Sequence, residues 1–247
     1  MHFVDPRDLK LPAYMSERQK AAQRSVIRAI VSADLGQSQD YTAIAVLDYS
    51  TAIPVVRGLE RMRGIPYVAP TPDGIGVVER VGAIVSNVAR RAHHLTATDE
   101  LMPAQRLSVP LVIDRTGVGQ GVYDLFVRFG LKPIGITITG GNKPSAGPQG
   151  FNVPKKDLVF SLVAAFQSGR IKIAGNLAEA PTLVNELQNF KMKIRENGGA
   201  SYEAWREGIH DDEVLSVAIG HWYYEHMTKR KNKTARMITR AVADDEE

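Results

Sequence analysis

Four aspartates are placed where the chain could assemble a site for metal-assisted chemistry. Asp34 and Asp114 end the apolar runs AIVSAD and LVID, and Asp211 and Asp212 stand just before the helical run EVLSVAIG. Ligands of open α/β sheets bind in the crevice outside the carboxyl ends of the strands, so we expect Asp34 and Asp114 to face each other there. Asp211 and Asp212 would project from the first turn of their helix.

The chemistry expected of such a cluster is metal-assisted hydrolysis. Carboxylates that crowd together repel one another unless cations neutralise them, and oxygen ligands favour Mg²⁺ or Mn²⁺. The chain contains no cysteine, which excludes disulfides, thiolate zinc sites and cysteine nucleophiles. Two divalent ions bound side by side can activate a water molecule and stabilise the leaving oxygen of a phosphodiester. The cluster therefore predicts a nuclease.

The composition is that of a folded protein with a mildly basic surface. Of 247 residues, 44% are hydrophobic and 23% are charged, and the formal net charge is +4. This charge suits a polyanionic partner without requiring one. The start of the chain lacks the basic and apolar regions of a signal peptide, and no apolar run reaches membrane-spanning length. We therefore expect a cytoplasmic protein with no membrane contact.

The apolar patterns predict an α/β fold in which a mixed β-sheet, an antiparallel meander plus parallel strands, is flanked by α-helices. We expect a linker over residues 1–28, one domain over 29–227 and a flexible tail, first basic and then acidic, over 228–247. GGNKPSAGPQG is predicted to be a surface loop, and VPKKDLVFSLVAAFQSG a helix that begins at Pro154. KMKIRENGGASYEAW is predicted to be a hairpin that turns at Asn197-Gly198.

Several basic residues are candidates for phosphate contacts. Lys155 and Lys156 open a predicted helix near the strand ends, where contact with a phosphate and simple solvation are equally expected. Lys191, Lys193 and Arg195 alternate along a predicted strand, so they would share one face and could follow a DNA backbone. The glycine-rich TGVGQG turn does not fit a dinucleotide site, because no acidic residue follows at the required distance.

Three motifs occur in order along the chain: VSADLGQSQDYTAIAVLD, LVIDRTGVGQGVYDLF and GIHDDEVLSVAIG. Together they resemble the nuclease domain of the large terminase subunit of tailed bacteriophages, the packaging motors that cut concatemeric genomes. The segments VPKKDLVFSL, GRIKIAG and LVNELQNFKMKI are also similar, so the resemblance covers residues 30–226. Three motifs in order are far more specific than any one of them.

The resemblance implies an RNase H-like fold, close to the Holliday-junction resolvases, and cleavage of double-stranded DNA with two Mg²⁺ or Mn²⁺ ions. It implies that Asp34 bridges both ions, that Asp114 completes one site and that the Asp211-Asp212 pair completes the other. Asp212 is favoured as the closer ligand of that pair, and the choice stays open. Asp40 matches a recurrent acid of the first motif and would orient the metal ligands without binding the metal ions itself. His210 is expected to form a structural hydrogen bond beside them.

The resemblance also implies double-stranded DNA, an ATPase motor domain or subunit and the viral portal as partners, in the cytoplasm of the host. No phosphate-binding P-loop pattern occurs in the chain. We therefore expect an isolated nuclease domain, a split subunit or a fragment. Three alternatives stay open: half of an actin-like ATPase, a Holliday-junction resolvase, and a non-catalytic module that binds DNA or the portal.

Overall fold

The structure is a computed structural model that describes residues 28–36, 40–70, 74–116, 119–147, 149–196 and 211–244. The expectations for residues 1–27, for the Asn197-Gly198 turn and for His210 therefore fall outside the described residues. No helix within the described ranges is long and apolar enough to cross a bilayer.

One mixed sheet organises the described part of the chain. Its strands are β1 (Ala29–Asp34), β2 (Tyr41–Asp48), β3 (Val55–Arg63), β4 (Leu111–Asp114), β5 (Pro133–Thr139), β6 (Ser145–Gly147), β7 (Gly150–Pro154) and β8 (Lys172–Ile173). They lie in the order β6-β7-β5-β4-β1-β2-β3-β8. The β1-β2-β3 meander is antiparallel, whereas β1, β4, β5 and β7 run parallel to one another. The predicted mixed sheet, an antiparallel meander plus parallel strands, is confirmed.

Helices cover both faces of this sheet. They are α1 (Val77–Ala92), α2 (Pro103–Arg106), α3 (Gly119–Arg128), α4 (Lys155–Gln167), α5 (Ala180–Glu196) and α6 (Asp212–Asp244). Val81 of α1 and Phe126 of α3 pack with Val31 of β1 in one buried cluster. Leu158 of α4 and Ile219 of α6 pack with other strand residues in a second cluster on the opposite face. The central strands are therefore apolar on both faces, as expected of buried parallel strands.

Helix α6 lies closest to the sheet where a glycine faces it. A Cβ atom on Gly220 would lie 2.6 Å from the Ser32 hydroxyl oxygen and 2.7 Å from a Leu47 methyl group. Both distances are shorter than any real contact of a Cβ atom, so a side chain here would push the helix away. Gly220 thus sets the distance between α6 and strands β1 and β2.

The loop predicted for GGNKPSAGPQG is only partly a loop. Ser145–Gly147 forms β6, which pairs with the unpredicted strand β7, and β7 in turn pairs with β5. Glycine is needed in β7 because a Cβ atom on Gly150 would lie 1.9 Å from the Gly135 carbonyl oxygen. The prediction was wrong because the sequence does not distinguish a glycine that lets two strands approach closely from a glycine that belongs to a turn.

The strand predicted to begin at Lys191 is also wrong. Helix α5 continues to Glu196, so Lys191, Lys193 and Arg195 lie on a helix, where residues two apart do not share a face. The run LVNELQNFKMKIRE consists largely of good helix formers, and these outweigh the alternation of its basic residues. The last helix runs to Asp244 and so passes residue 227, the domain boundary that the sequence predicts, and that boundary stays a prediction.

Candidate metal and nucleic-acid site

Asp34 and Asp114 lie side by side at one edge of the sheet. Strands β1 and β4 are parallel neighbours whose last pair in register is Ala33 with Ile113, and the two aspartates follow directly. Helix α6 begins at Asp212 and packs on β1, β2 and β4, which brings Asp211 and Asp212 to the same edge. The structure thus brings together the four aspartates that the sequence singled out.

The aspartates are close enough to change one another's acidity. Burial raises the pKa of Asp34 well above its usual value, and the charges of Asp114, Asp212 and Asp211 raise it further, whereas Lys155 lowers it. Burial also raises the pKa of Asp114. Hydrogen bonds from the Thr116 backbone N–H and hydroxyl to Asp114 Oδ1, at 2.8 and 2.5 Å, act against that rise. The site therefore concentrates more negative charge than its own surroundings neutralise.

Two cations from different elements enter this cluster. Lys155, the first residue of α4, donates from Nζ to Asp211 Oδ2 at 2.6 Å. Arg61 of β3 donates to Asp212 Oδ2 at 3.2 Å, and its guanidinium lies 3.7 Å from the centre of the Tyr41 ring. The Asp211-Asp212 pair is thus held from both sides by groups that are themselves partly buried.

The donor set suits a hard divalent cation, since it consists of carboxylate oxygens with surplus negative charge. In the part of the chain that the structure describes, however, no group of three or more acidic or histidine side chains is arranged to hold a metal ion. Asp211 and Asp212 point their oxygens at Lys155 and Arg61 instead. Metal binding would therefore require these ion pairs to rearrange.

The start of α6 is fixed by a side chain from another helix. Glu186 of α5 is only 4% exposed, and its Oε2 accepts hydrogen bonds from the backbone N–H groups of Glu213 and Val214 at 3.1 and 3.0 Å. Unpaired N–H groups at a helix start need such acceptors. Burial raises the pKa of Glu186 to about 7. Glu186 therefore holds the turn that carries Asp212.

Two of the other predicted site residues, Asp40 and Lys156, have described surroundings. Asp40 is exposed and lines a cavity beside the site. Lys156 donates to the Asn142 side-chain oxygen at 2.8 Å. The side chains of Lys191, Lys193 and Arg195 lie outside the described part of the structure. The roles of all these residues, and of the four aspartates, stay predictions.

The sequence analysis missed Arg61 and Glu186. Arg61 is one of several cations in the run VVRGLERMR, and the run does not show which of them faces the site. Only the pairing of β3 with β2, which sets Arg61 opposite Ala43, shows where it lies. Glu186 lies in an ordinary amphipathic helix pattern. The available signal was an acidic residue among the apolar positions Leu183, Leu187 and Phe190, which predicts a carboxylate near the core.

Comparison with known proteins shows that the chain is similar in sequence to phage terminases. No protein-family model matches it. Among curated proteins it is similar to the terminase large subunits of Thermus phage G20c and Thermus virus P23-45, each 23% identical over 195 residues. The match covers 79% of this chain and 31% of each relative, so the chain spans about a third of their length.

Solved structures similar to this chain include the large terminase nuclease from thermophilic phage G20c with bound magnesium. That structure is 20% identical, with a TM-score of 0.48, and the match covers 78% of this chain and 79% of that one. The human cytomegalovirus terminase nuclease domain, soaked with Mn, is 13% identical with a TM-score of 0.40 and coverage of 79% and 83%. The sequence similarity to the two Thermus terminase large subunits confirms the resemblance that the three motifs predicted.

Proposed function

We propose that this chain is a metal-dependent endonuclease that hydrolyses double-stranded DNA during viral genome packaging. The observation that carries the proposal is the convergence of Asp34, Asp114, Asp211 and Asp212 at one sheet edge, where burial and mutual repulsion raise the pKa of Asp34. Strongly perturbed carboxylates in such a place are typical of functional sites. The sequence similarity to terminase large subunits supports the same activity.

On the family resemblance, Asp34 would be shared between two Mg²⁺ or Mn²⁺ ions, with Asp114 on one side and Asp211 or Asp212 on the other. Such ions supply an activated water and stabilise the leaving oxygen. The chain's own part is to hold the carboxylates. Strands β1 and β4 fix Asp34 and Asp114, Thr116 orients Asp114, and Glu186 fixes the turn before which Asp211 stands.

Lys155 and Arg61 keep the site stable before it binds metal and DNA. Each neutralises one carboxylate that would otherwise repel Asp34. With a divalent cation bound by the aspartates, the ammonium group of Lys155 would no longer be needed to neutralise Asp211 and could contact a DNA phosphate at the same edge. Lys156 lies next to it and is proposed to make a further phosphate contact. An ATPase motor and the portal, in the host cytoplasm, are the proposed partners.

The test is nicking of supercoiled plasmid in Mg²⁺ or Mn²⁺. Asp34→Asn should slow nicking by about 100-fold or more, the scale on which the loss of one charge-stabilising group slows an enzyme. The matched control is Asp48→Asn, because Asp48 also ends a strand but pairs with Ala29, at the opposite edge of the sheet. Asp48→Asn should nick at the wild-type rate.

Full activity of Asp34→Asn would contradict the assignment of the site. A strong preference for four-way junctions over linear duplex would favour a resolvase instead. Stabilisation by ATP, without cleavage in any divalent metal, would favour the actin-like ATPase. Salt-sensitive DNA binding without cleavage would favour a non-catalytic module.

A further inference from the structure

A cavity of about 470 Å³ opens beside the acidic cluster, in the size range of pockets that hold small planar ligands. Met62, Ile65, Pro66 and Tyr67 form an apolar wall, and Asp40 and Thr42 supply polar groups. None of its lining residues, all of which lie in the described ranges, carries a positive charge. The cavity therefore suits an uncharged, planar group and not a phosphate.

The cavity lies next to the proposed metal ligand Asp34, both along the chain and in space. Gly36, which lines it, follows Asp34 by two residues, and its carbonyl accepts a hydrogen bond from the Tyr67 hydroxyl at 2.8 Å. Burial raises the pKa of Tyr67 to about 12, and the charge of Asp34 contributes to the rise. Tyr67 thus lies within electrostatic reach of Asp34. A group in the cavity would be adjacent to the bond that the site is proposed to cut.

The wall of the cavity is held in place before any ligand binds. The carbonyls of Pro66 and Tyr67 accept hydrogen bonds from the N–H groups of Val77 and Val78 at 3.0 and 2.9 Å. The Ala69 N–H donates to the Glu79 carboxylate at 3.1 Å. These three bonds fix residues 66–69 to the first turn of α1. The cavity is therefore preformed, which lowers the entropic cost of binding.

Resting on the proposed nuclease function, we infer that this cavity receives one unstacked nucleobase of the DNA strand, next to the scissile phosphate. The apolar wall and the Tyr67 ring provide a surface on which a base can stack. The Asp40 carboxylate can only accept hydrogen bonds, so it favours a base whose exocyclic amino group offers two N–H donors over thymine, which offers only its N3–H. In enzymes that act on an unstacked base, capture of the base in a pocket offsets the cost of unstacking.

The test measures binding separately from cleavage. Short duplexes with one extrahelical adenosine, one extrahelical thymidine or one extrahelical abasic site are compared by fluorescence anisotropy in Ca²⁺. The abasic duplex controls for the flexibility of the bulge, since its backbone is the same but the base is missing. Wild type should bind the adenosine duplex about five-fold more tightly than the abasic one, the lower end of what stacking a base contributes.

Two variants localise the effect. Ile65→Trp fills the cavity and should remove the preference for adenosine over the abasic site, and Ile65 is 44% exposed, so the fold should tolerate the change. The matched control Ile75→Trp changes an isoleucine that is 62% exposed and is not part of the lining, and it should keep the preference. Asp40→Asn should reduce the preference for adenosine over thymidine.

Equal binding of the adenosine and abasic duplexes by wild type, including no binding of either, would overturn the inference. So would a preference that Ile65→Trp leaves intact. Plasmid nicking by the same protein samples separates the two proposals. No nicking together with a cavity-dependent base preference would refute only the nuclease, whereas nicking without that preference would refute only the base pocket.

Discussion

At the scale of single residues, two cations from outside strands β1 and β4 contribute to the charge balance of the acidic cluster. Lys155 and Arg61 each pair with one aspartate at the start of α6, whereas burial raises the pKa values of Asp34 and Asp114. Removing the charge of Asp34 and removing the charge of a well-paired carboxylate elsewhere should therefore change the stability of the folded protein in opposite directions.

Asp34→Asn should not destabilise the metal-free protein, and we expect a thermal midpoint equal to or above that of wild type in EDTA near neutral pH. The reason is that burial and three neighbouring carboxylates disfavour the ionised form of Asp34, a cost that the neutral amide avoids. Addition of Mn²⁺ should raise the midpoint of wild type and not that of the variant.

The control is again Asp48→Asn. Burial alone would raise the pKa of Asp48, but hydrogen bonds from Ser50 and the hydrogen bond and charge of Arg57 lower it below its usual value. This carboxylate stabilises the fold, so its loss should cost about 1 kcal/mol. A midpoint for Asp34→Asn clearly below wild type in EDTA would contradict the electrostatic account of the cluster.

We expect His221 to make the stability of the fold depend on pH, independently of the acidic cluster. Its ring nitrogen Nδ1 lies 3.3 Å from the Tyr49 hydroxyl, and burial lowers its pKa from 6.5 to about 4. Its contribution to stability is present above pH 6.5 and is lost as pH falls toward about 4, because the unfolded chain binds a proton that the folded protein excludes. The expected loss for wild type is about 2 kcal/mol between about pH 7 and pH 5.

The measurement is urea unfolding of wild type and His221→Gln across this pH range. Glutamine does not titrate, so the variant should lack this part of the acid sensitivity. The difference between the two free energies of unfolding cancels the other titrating groups, such as Glu186 and Glu213, whose pKa values burial raises. Parallel curves for the two proteins would show that His221 is not the group responsible.

At the scale of elements, the position of α6 depends on α5. Glu186→Ala leaves two N–H groups at the start of α6 without their acceptor, and we expect the free energy of unfolding to fall by about 2 kcal/mol. Glu186→Gln retains an acceptor oxygen and should lie close to wild type in stability. Nicking should be slower in Glu186→Ala and close to normal in Glu186→Gln.

Chemical denaturation and plasmid nicking on the same samples check this prediction. The comparison of the two variants separates the loss of the acceptor from the loss of the charge. Equal nicking by Glu186→Ala and wild type would mean that the start of α6 needs no support from α5. Equal defects in both variants would mean that the charge of Glu186, and not its hydrogen bonds, matters.

The elements also show what the sequence could and could not predict. The strands that end at Asp34 and Asp114 were predictable, because buried parallel strands are apolar throughout and stop at a polar residue. Strand β7 was not, since Gly150 is present for its close approach to Gly135 and looks like part of a turn. The ion pairs of Arg61 and Lys155 join residues 151 and 56 positions apart, and no local pattern carries that information.

At the scale of the whole molecule, α6 connects the site to a basic extension. The helix is 33 residues long, and its first part is buried against the sheet whereas Lys229 and Arg230 are exposed. Six cations follow between residues 229 and 240: Lys229, Arg230, Lys231, Lys233, Arg236 and Arg240. Helix α6 begins at the acidic cluster and carries these cations along its second half, which suits contact with a DNA backbone.

We therefore expect the extension to contribute affinity for DNA without sequence preference. Replacing four of its cations by glutamine, which keeps helix propensity, should weaken duplex binding and lower the slope of log affinity against log salt by about 0.9 for each phosphate that is no longer neutralised. The rate of nicking at saturating DNA should not change, since the acidic cluster stays intact. The substituted residues are Lys231, Lys233, Arg236 and Arg240.

A matched variant with the same change in net charge separates direct phosphate binding from the overall field of the protein. It replaces four cations outside the extension, all of them exposed, namely Arg91, Arg128, Lys132 and Lys172. Long-range attraction alone would make the two variants equally weak, because it depends on total charge and is screened beyond about 8 Å at physiological salt. Direct phosphate binding would lower the salt slope only in the α6 variant. Equal slopes in both would therefore rule out the extension as a DNA-binding element.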